Sequence, residues 1–172
     1  MRLIKPILTI LVLSLVIYGI YYFLLLPMLL GNVKLISMID PDTLLVKENG
    51  KMETVQLIGV DAPEKTGPAK SPQCYDSQAM RKAAEIFKTN RQISLTIDGK
   101  AGETDQYGRE LRYVYLSDGT LYNGLLIKDG LAKESNPRNV DYKFKNEFVN
   151  DQEEAVATAA GIWDPKGCAG RF

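Results

Sequence analysis

The chain of 172 residues contains no histidine. That absence removes histidine-based triads, imidazole-ligated zinc and imidazole general bases together. Cysteine is scarce, with only Cys74 and Cys168, and two cysteines without histidine are a poor basis for a tetrahedral metal site. Net charge is missing too, since 21 bases balance 21 acids. The first 30 residues hold Arg2 and Lys5 and no acid. Beyond them 19 bases face 21 acids, a formal net of −2. Binding to a polyanion therefore has to be local rather than a property of the whole surface. The chemistry left to such a chain runs on carboxylates, arginine, lysine, tyrosine and hard, oxygen-bound cations.

The N-terminus is apolar where the rest is mixed. Pro6 to Leu30 is a run of 25 residues without a charge. As a helix at about 1.5 Å per residue it reaches roughly 37 Å, enough to span a bilayer core of about 30 Å with tilt. A cleavable signal peptide has a shorter apolar region and an Ala-x-Ala-like end, which Leu29-Leu30-Gly31-Asn32 does not supply. The expectation is an uncleaved transmembrane anchor over residues 1–30. Arg2 and Lys5 precede the span, so positive-inside bias puts the N-terminus in the cytoplasm and residues 31–172 outside, as one extracellular or periplasmic domain. About 140 residues suffice for one domain with its own core. In an oxidising exterior an isolated cysteine pair tends to bond, so the orientation predicts a Cys74–Cys168 disulfide; the alternative is two free buried thiols.

Residues 33 to 60 read as a three-stranded meander. Val33 to Ile39 and Thr43 to Lys47 flank an Asp40-Pro41-Asp42 turn. Asn49-Gly50 is a strong hairpin signal before a third strand, Met52 to Val60. That strand stops at Asp61-Ala62-Pro63-Glu64, because Pro63 cannot continue a ladder and keeps its predecessor extended. It delivers two acids, Asp61 and Glu64, to a rigid turn, the pattern of a metal or acid–base site; a solvated turn with ordinary surface acids is the alternative. Further on, Gln73 to Asn90 is helical with Ala79, Ala83, Ile86 and Phe87 as its apolar stripe. Gln92 to Asp98 alternates as a fourth strand with Ile93, Leu95 and Ile97 on one face, and Arg109 to Leu116 is a fifth. Leu121 to Asp129 is a helix closed by Gly130, Leu131 to Val140 is irregular, and Asp141 to Ala160 is the last helix. Five short strands with three helices predict a β-barrel plus helices, an α+β fold of the oligonucleotide-binding (OB) barrel kind, after one transmembrane helix.

Five blocks carry a specific resemblance. They are Ile39-Asp40-Pro41-Asp42-Thr43, Val55-Gln56-Leu57-Ile58-Gly59-Val60-Asp61-Ala62-Pro63-Glu64, Thr104-Asp105-Gln106-Tyr107-Gly108-Arg109, Gly130-Leu131-Ala132-Lys133 and Gly161-Ile162-Trp163. In this order and spacing, over about residues 33 to 164, they closely resemble the staphylococcal nuclease (thermonuclease) family. The resemblance implies a five-stranded OB-like barrel and calcium-dependent hydrolysis of phosphodiesters in DNA and RNA. It implies that Asp42 and Asp61 bind Ca²⁺ with the backbone carbonyl of Ala62. It makes Glu64 the general base for the attacking water and sets Arg109 on the scissile phosphate. Tyr107 is a candidate substrate contact, with a buried core tyrosine as the alternative. Hard calcium, several oxygen ligands and a planar guanidinium on phosphate form a consistent chemistry that needs no histidine.

Three departures stand against that frame. Gln56 occupies the position where the family carries an arginine that clamps the phosphate. Losing such an electrostatic partner commonly costs about 10²–10³ in rate; Lys65 and Lys70 are candidate substitutes. Pro41 replaces a glycine between the two aspartates of the first turn. The segment after Gly-Leu-Ala-Lys, Glu134 to Arg138, lacks the tyrosines on which the staphylococcal enzyme stacks bases. Two readings follow: a membrane-anchored extracellular endonuclease, and a weak or inactive domain of the same fold that binds nucleic acid or a protein partner. No obligate protein partner is implied.

Overall fold

The structure is a computed structural model, and it describes residues 4–21, 33–65, 72–137 and 139–172. Contacts divide the chain into two units, Met1–Asn32 and Val33–Phe172. The first holds helix α1, Ile4–Ile20, of 17 residues. Among the described residues no helix is long and apolar enough to cross a membrane. Of the expected 25-residue span, the residues up to Ile20 lie in α1, and residues 22–30 lie outside the described residues.

The second unit is a closed barrel. Its strands are β1 (Val33–Asp40), β2 (Thr43–Glu48), β3 (Lys51–Leu57), β5 (Gln92–Thr96) and β6 (Glu110–Tyr115), in the order β1-β2-β3-β6-β5. All pairs are antiparallel except β3 with β6, which is parallel. The β2–β3 hairpin turns at Asn49-Gly50, both at positive φ, as the tight turn of a twisted hairpin requires. Inside the barrel lie Val33, Leu35, Leu44, Val46, Val55, Leu57, Ile93, Leu111 and Tyr113. Three helices of this unit, α2 (Asp76–Ile86), α3 (Tyr122–Lys128) and α4 (Lys145–Ala157), are followed by a 3₁₀ turn, Gly161–Trp163. Helix α2 buries Ala79 and Ala83, with Phe87 at its end packing on Tyr122 at 4.6 Å between ring centroids.

Several boundaries differ from the sequence expectation, and each has a local cause. The third strand does not run through to Val60. It ends at Leu57, and Val60–Asp61 forms a separate short strand, β4. Gly59 makes the break: its φ is +77°, and a Cβ there would sit 2.8 Å from Phe148 and 2.9 Å from Tyr142. Only glycine allows both that backbone and that approach. The segment expected to be irregular supplies the partner, since Lys133–Glu134 is a strand, β7, antiparallel to β4. The fourth strand ends at Thr96, and Ile97, expected on one face with Ile93 and Leu95, is 61% exposed. Helix α2 starts late because Tyr75 is left-handed at φ 73°, and α4 is shorter than expected at both ends.

The barrel seam depends on one buried amide. Asn123 of α3 is fully buried. Its Oδ1 accepts from Val114 N–H at 2.9 Å, and its Nδ2 donates to the carbonyls of Ile58 at 3.0 Å and Arg112 at 3.3 Å. These backbone groups lie where β3 leaves the ladder, and a buried unpaired one costs about 1–3 kcal/mol. Two blocks read separately along the chain also meet here: Ile162 N–H donates to the Gly130 carbonyl at 2.9 Å, and a Cβ on Gly161 would stand only 2.0 Å from that oxygen. The expected disulfide is present, joining Cys74 to Cys168 across 94 positions. Loop-closure models give a link of that span more than about 4 kcal/mol.

Asn123→Ala is expected to lower stability by about 3 kcal/mol, since it leaves the Val114 N–H and the Ile58 carbonyl unpaired in the core, while the Arg112 carbonyl keeps the Ile58 N–H. In a domain of this size that corresponds to a fall of roughly 6–12 °C in Tm, checked by thermal denaturation.

Candidate active site

The β1–β2 turn carries the first acid inward. The Asp42 carbonyl accepts from Leu57 N–H at 2.9 Å, and the Pro41 carbonyl accepts from the buried Tyr122 hydroxyl at 2.9 Å. With its backbone pinned on both sides, Asp42 is only 6% exposed. Its Oδ2 accepts from Ala62 N–H at 3.0 Å, and its Oδ1 lies 3.0 Å from the Thr43 hydroxyl. Burial pushes its pKa from 3.8 to about 6; these hydrogen bonds oppose the rise, while the charges of Asp61 and Asp40 add to it.

The second acid comes from β4. Asp61 pairs with Lys133 in the β4–β7 ladder and projects at the exposed rim. Desolvation by neighbouring protein atoms raises its pKa, and the Lys133 charge pulls it back. Ala62 and Pro63 are buried, so the turn after Asp61 is anchored, and Glu64 emerges from it exposed. Desolvation raises the Glu64 pKa, with repulsion from Asp40 and Asp61 in the same direction and Arg109 opposing.

Arg109 is set by its own loop. Asp105 accepts from the backbone N–H groups of Tyr107 at 2.8 Å and Arg109 at 2.9 Å, and from Arg109 Nε at 2.6 Å. Burial works against the Asp105 carboxylate, yet these bonds hold its pKa below the ordinary value. One carboxylate thus shapes the turn and aims the guanidinium. Arg109 Nη1 also donates to the Thr43 hydroxyl at 3.4 Å. Tyr107 is 75% exposed, its ring 5.3 Å from the guanidinium carbon, which excludes the core-tyrosine alternative.

Gln56 is half-buried beside this group, its Oε1 2.8 Å from the Thr43 hydroxyl. That hydroxyl has one proton, so it donates to Gln56 or to Asp42, not to both. Thr43 therefore links the acid, the amide and the guanidinium.

Asp42, Gln56, Asp61, Glu64, Tyr107 and Arg109 all line one cleft of about 420 Å³. Ala62 stands behind it through its bond to Asp42. Ser135, Asn136 and Pro137, with no aromatic ring among them, also line it, as does Tyr142. Of the candidate substitutes for the missing arginine, Lys65 lines a separate cavity of about 200 Å³ with Asp40 and Asp76, and Lys70 lies outside the described residues. Sequence reading gave no role to Thr43 or Asp105. An Asp four residues before an Arg across a Tyr-Gly turn is the signal by which the second could have been found.

The donors present are all oxygen. Asp42 and Asp61 offer carboxylates and Ala62 a carbonyl, a set that suits a hard cation completed by water. Among the described residues no group of three acidic or thiol side chains converges as a ready-made cage. The mutual repulsion of Asp40, Asp42, Asp61 and Glu64 marks a place that a cation relieves.

A small closed barrel of the OB kind, with an acidic, guanidinium-bearing cleft at one end of its strands, defines the class. The chain belongs to the staphylococcal nuclease family: the family model described as "Staphylococcal nuclease homologue" matches residues 54–165. It is 36% identical over 138 residues to "Endonuclease YncB" of Bacillus subtilis, covering 80% of this chain and 64% of the relative. It is 33% identical over 138 residues to "SPbeta prophage-derived endonuclease YokF" of the same organism, covering 80% and 46%. It is 35% identical over 130 residues to "Thermonuclease" of Staphylococcus hyicus, covering 76% and 74%. The chain thus spans less than two thirds of the two Bacillus relatives.

A carboxylate whose folded pKa lies above its unfolded value costs stability as pH rises between the two. With Asp42 moving from 3.8 to about 6, the cation-free protein loses stability across that interval. Asp42→Asn is expected to raise stability by about 1–3 kcal/mol at pH 7 in chelator and to give no gain below pH 4. Urea unfolding at the two pH values checks it.

Proposed function

We propose that the chain is an endonuclease that hydrolyses phosphodiesters of DNA and RNA with calcium, using Asp42, Asp61, Glu64 and Arg109. The observation that carries this reading is the cleft itself. Three acids from two turns and a guanidinium held by Asp105 line one cavity. The names of the relatives support the activity, and the acidic, all-oxygen donor set supports the cation.

Asp42 and Asp61, with the Ala62 carbonyl, hold the calcium, which when bound screens phosphate charge and orients water. Glu64 accepts the proton of the attacking water, and its raised pKa brings it closer to working pH. The water oxygen bonds to phosphorus as the bond to the leaving oxygen breaks. Arg109 donates to the phosphate oxygens, where charge accumulates. The exposed Tyr107 ring, lining the cleft beside Arg109, offers a face for a base or sugar. Gln56 brings a dipole where a second cation would stabilise the transition state, so turnover is slow.

The reading of a weak or inactive binding domain draws on one observation: Gln56 Oε1 is engaged with Thr43, and no lysine among the described residues lines the cleft in its place. One assay separates the two, with the full chain on denatured DNA and on RNA in calcium or chelator. Cleavage is expected in calcium alone. Glu64→Gln is expected to lower kcat about 10²–10⁴-fold, and Gln56→Arg to raise it about 10²-fold. Cleavage that persists in chelator or in Glu64→Gln sinks the mechanism. A chain that cuts only after Gln56→Arg is a binder on a nuclease frame.

The N-terminal segment anchors this domain to the outer face of a membrane. Arg2 and Lys5 before an uncharged run support that orientation, as do the exposed apolar side chains of Leu13, Val16 and Ile17 on α1. The chain is expected in the membrane fraction, resistant to carbonate and open to protease added outside cells. Release by carbonate refutes the anchor.

A further inference from the structure

Glu64 is exposed, and among the described residues no hydrogen bond holds its carboxylate. Its position depends on its backbone. That backbone is clamped by one residue: Glu64 N–H donates to Gln73 Oε1 at 2.6 Å, and Gln73 N–H donates to the Glu64 carbonyl at 3.0 Å. The two bonds are reciprocal and close the base of the intervening loop.

Gln73 is fixed in turn from its far side. Its carbonyl accepts from Asp76 N–H at 3.2 Å as α2 begins, and its neighbour Cys74 is bonded to Cys168. Cys168 is buried in a tail that is itself tied down. Gly170 N–H donates to the Ile162 carbonyl at 2.7 Å, and Ile162 N–H donates to the Gly130 carbonyl. A covalent and hydrogen-bonded path therefore runs from the 3₁₀ turn at Ile162 through Cys168, Cys74 and Gln73 to Glu64. Cys74 is exposed, while its partner Cys168 is buried.

We propose that Gln73 is a positioning residue for Glu64 and that the Cys74–Cys168 disulfide keeps it in place, so that turnover depends on the oxidised state of this cysteine pair. The proposal rests on the reading of Glu64 as the group that takes the proton of the attacking water. A carboxylate displaced by about an ångström leaves reacting groups misaligned and costs up to about 100-fold in rate, with little change in substrate affinity.

The test joins amide hydrogen exchange at Glu64, read by NMR, with kcat and KM on single-stranded DNA in calcium, both on the full chain. Gln73→Ala is expected to speed exchange at Glu64 at least about tenfold while Val55 and Val114 in the barrel keep their protection. It is also expected to lower kcat about 10–100-fold at unchanged KM. Gln73→Glu keeps an acceptor at the same reach and is expected to restore most of both. Cys74→Ser with Cys168→Ser, assayed well below its Tm, is expected to match Gln73→Ala, and adding Gln73→Ala to the pair to lose nothing more. The proposal is overturned if Gln73→Ala leaves kcat or Glu64 exchange at the native value. It is equally overturned if the cysteine variant loses activity only in step with exchange of the barrel amides. A native chain that cuts nothing overturns the nuclease reading instead, and the exchange arm then decides the clamp alone.

Discussion

The architecture of the cleft depends on Asn123. A barrel strand that leaves its ladder exposes backbone groups, and in a core they need partners. Asn123 supplies both a donor and an acceptor from a helix, bridging Ile58, Arg112 and Val114. This lets the chain leave β6 after Ile58, whose N–H still bonds the Arg112 carbonyl, without a buried unpaired carbonyl. Everything downstream follows from that parting. Gly59 turns the chain beneath the rings of Phe148 and Tyr142, and β4 then finds β7 in place of the barrel. Asp61 therefore emerges at the rim of the cleft whose floor holds Asp42.

The same region is costly to keep. Asp42 is buried with like charges near it, against the ordinary rule that buried acids be paired. The Ala62 amide and the Thr43 hydroxyl offset part of the penalty. What remains is a cluster of like charges, with Arg109 held by Asp105 rather than by those acids. That division of labour is physical. A carboxylate free of a guanidinium partner stays available to metal, and a guanidinium held by a remote carboxylate still has donors for phosphate.

Much of the fold was legible along the chain because it was written in period and turn chemistry. The five barrel strands and the three helices of the domain follow from alternation, amphipathic spacing, Asn49-Gly50, Pro63 and Gly130. The cleft residues were legible because Asp42, Gln56, Asp61, Glu64, Tyr107 and Arg109 sit in short blocks of recognisable order. The β4–β7 ladder was not, for a two-residue strand has no period and its partner lies some seventy residues away. Ile97 shows the converse limit: alternation extends through it, but the strand does not, since the bond network of Asp98 takes the chain out of the sheet. Asn123 and Gln73 carried no signal at all. A polar residue in a helical or loop pattern reads as surface until the backbone groups around it are known.

The sequence by itself determined the kind of chemistry available. Without histidine, the chemistry left was that of carboxylates, arginine, lysine, tyrosine and hard cations, with acids at two turns and an arginine after Tyr-Gly in prominent places. It offered the cysteine pair as a candidate bond against two free thiols, and the structure joined them. The tertiary structure alone decided that the two acidic turns open into one cleft, that Thr43 couples Asp42, Gln56 and Arg109, that no described lysine replaces the absent arginine, and that Glu64 stands on a clamp tied to a disulfide. Those are statements about distances between residues far apart in the chain, and hydrophobic period carries no information on which distant polar groups a closed barrel brings within hydrogen-bond reach.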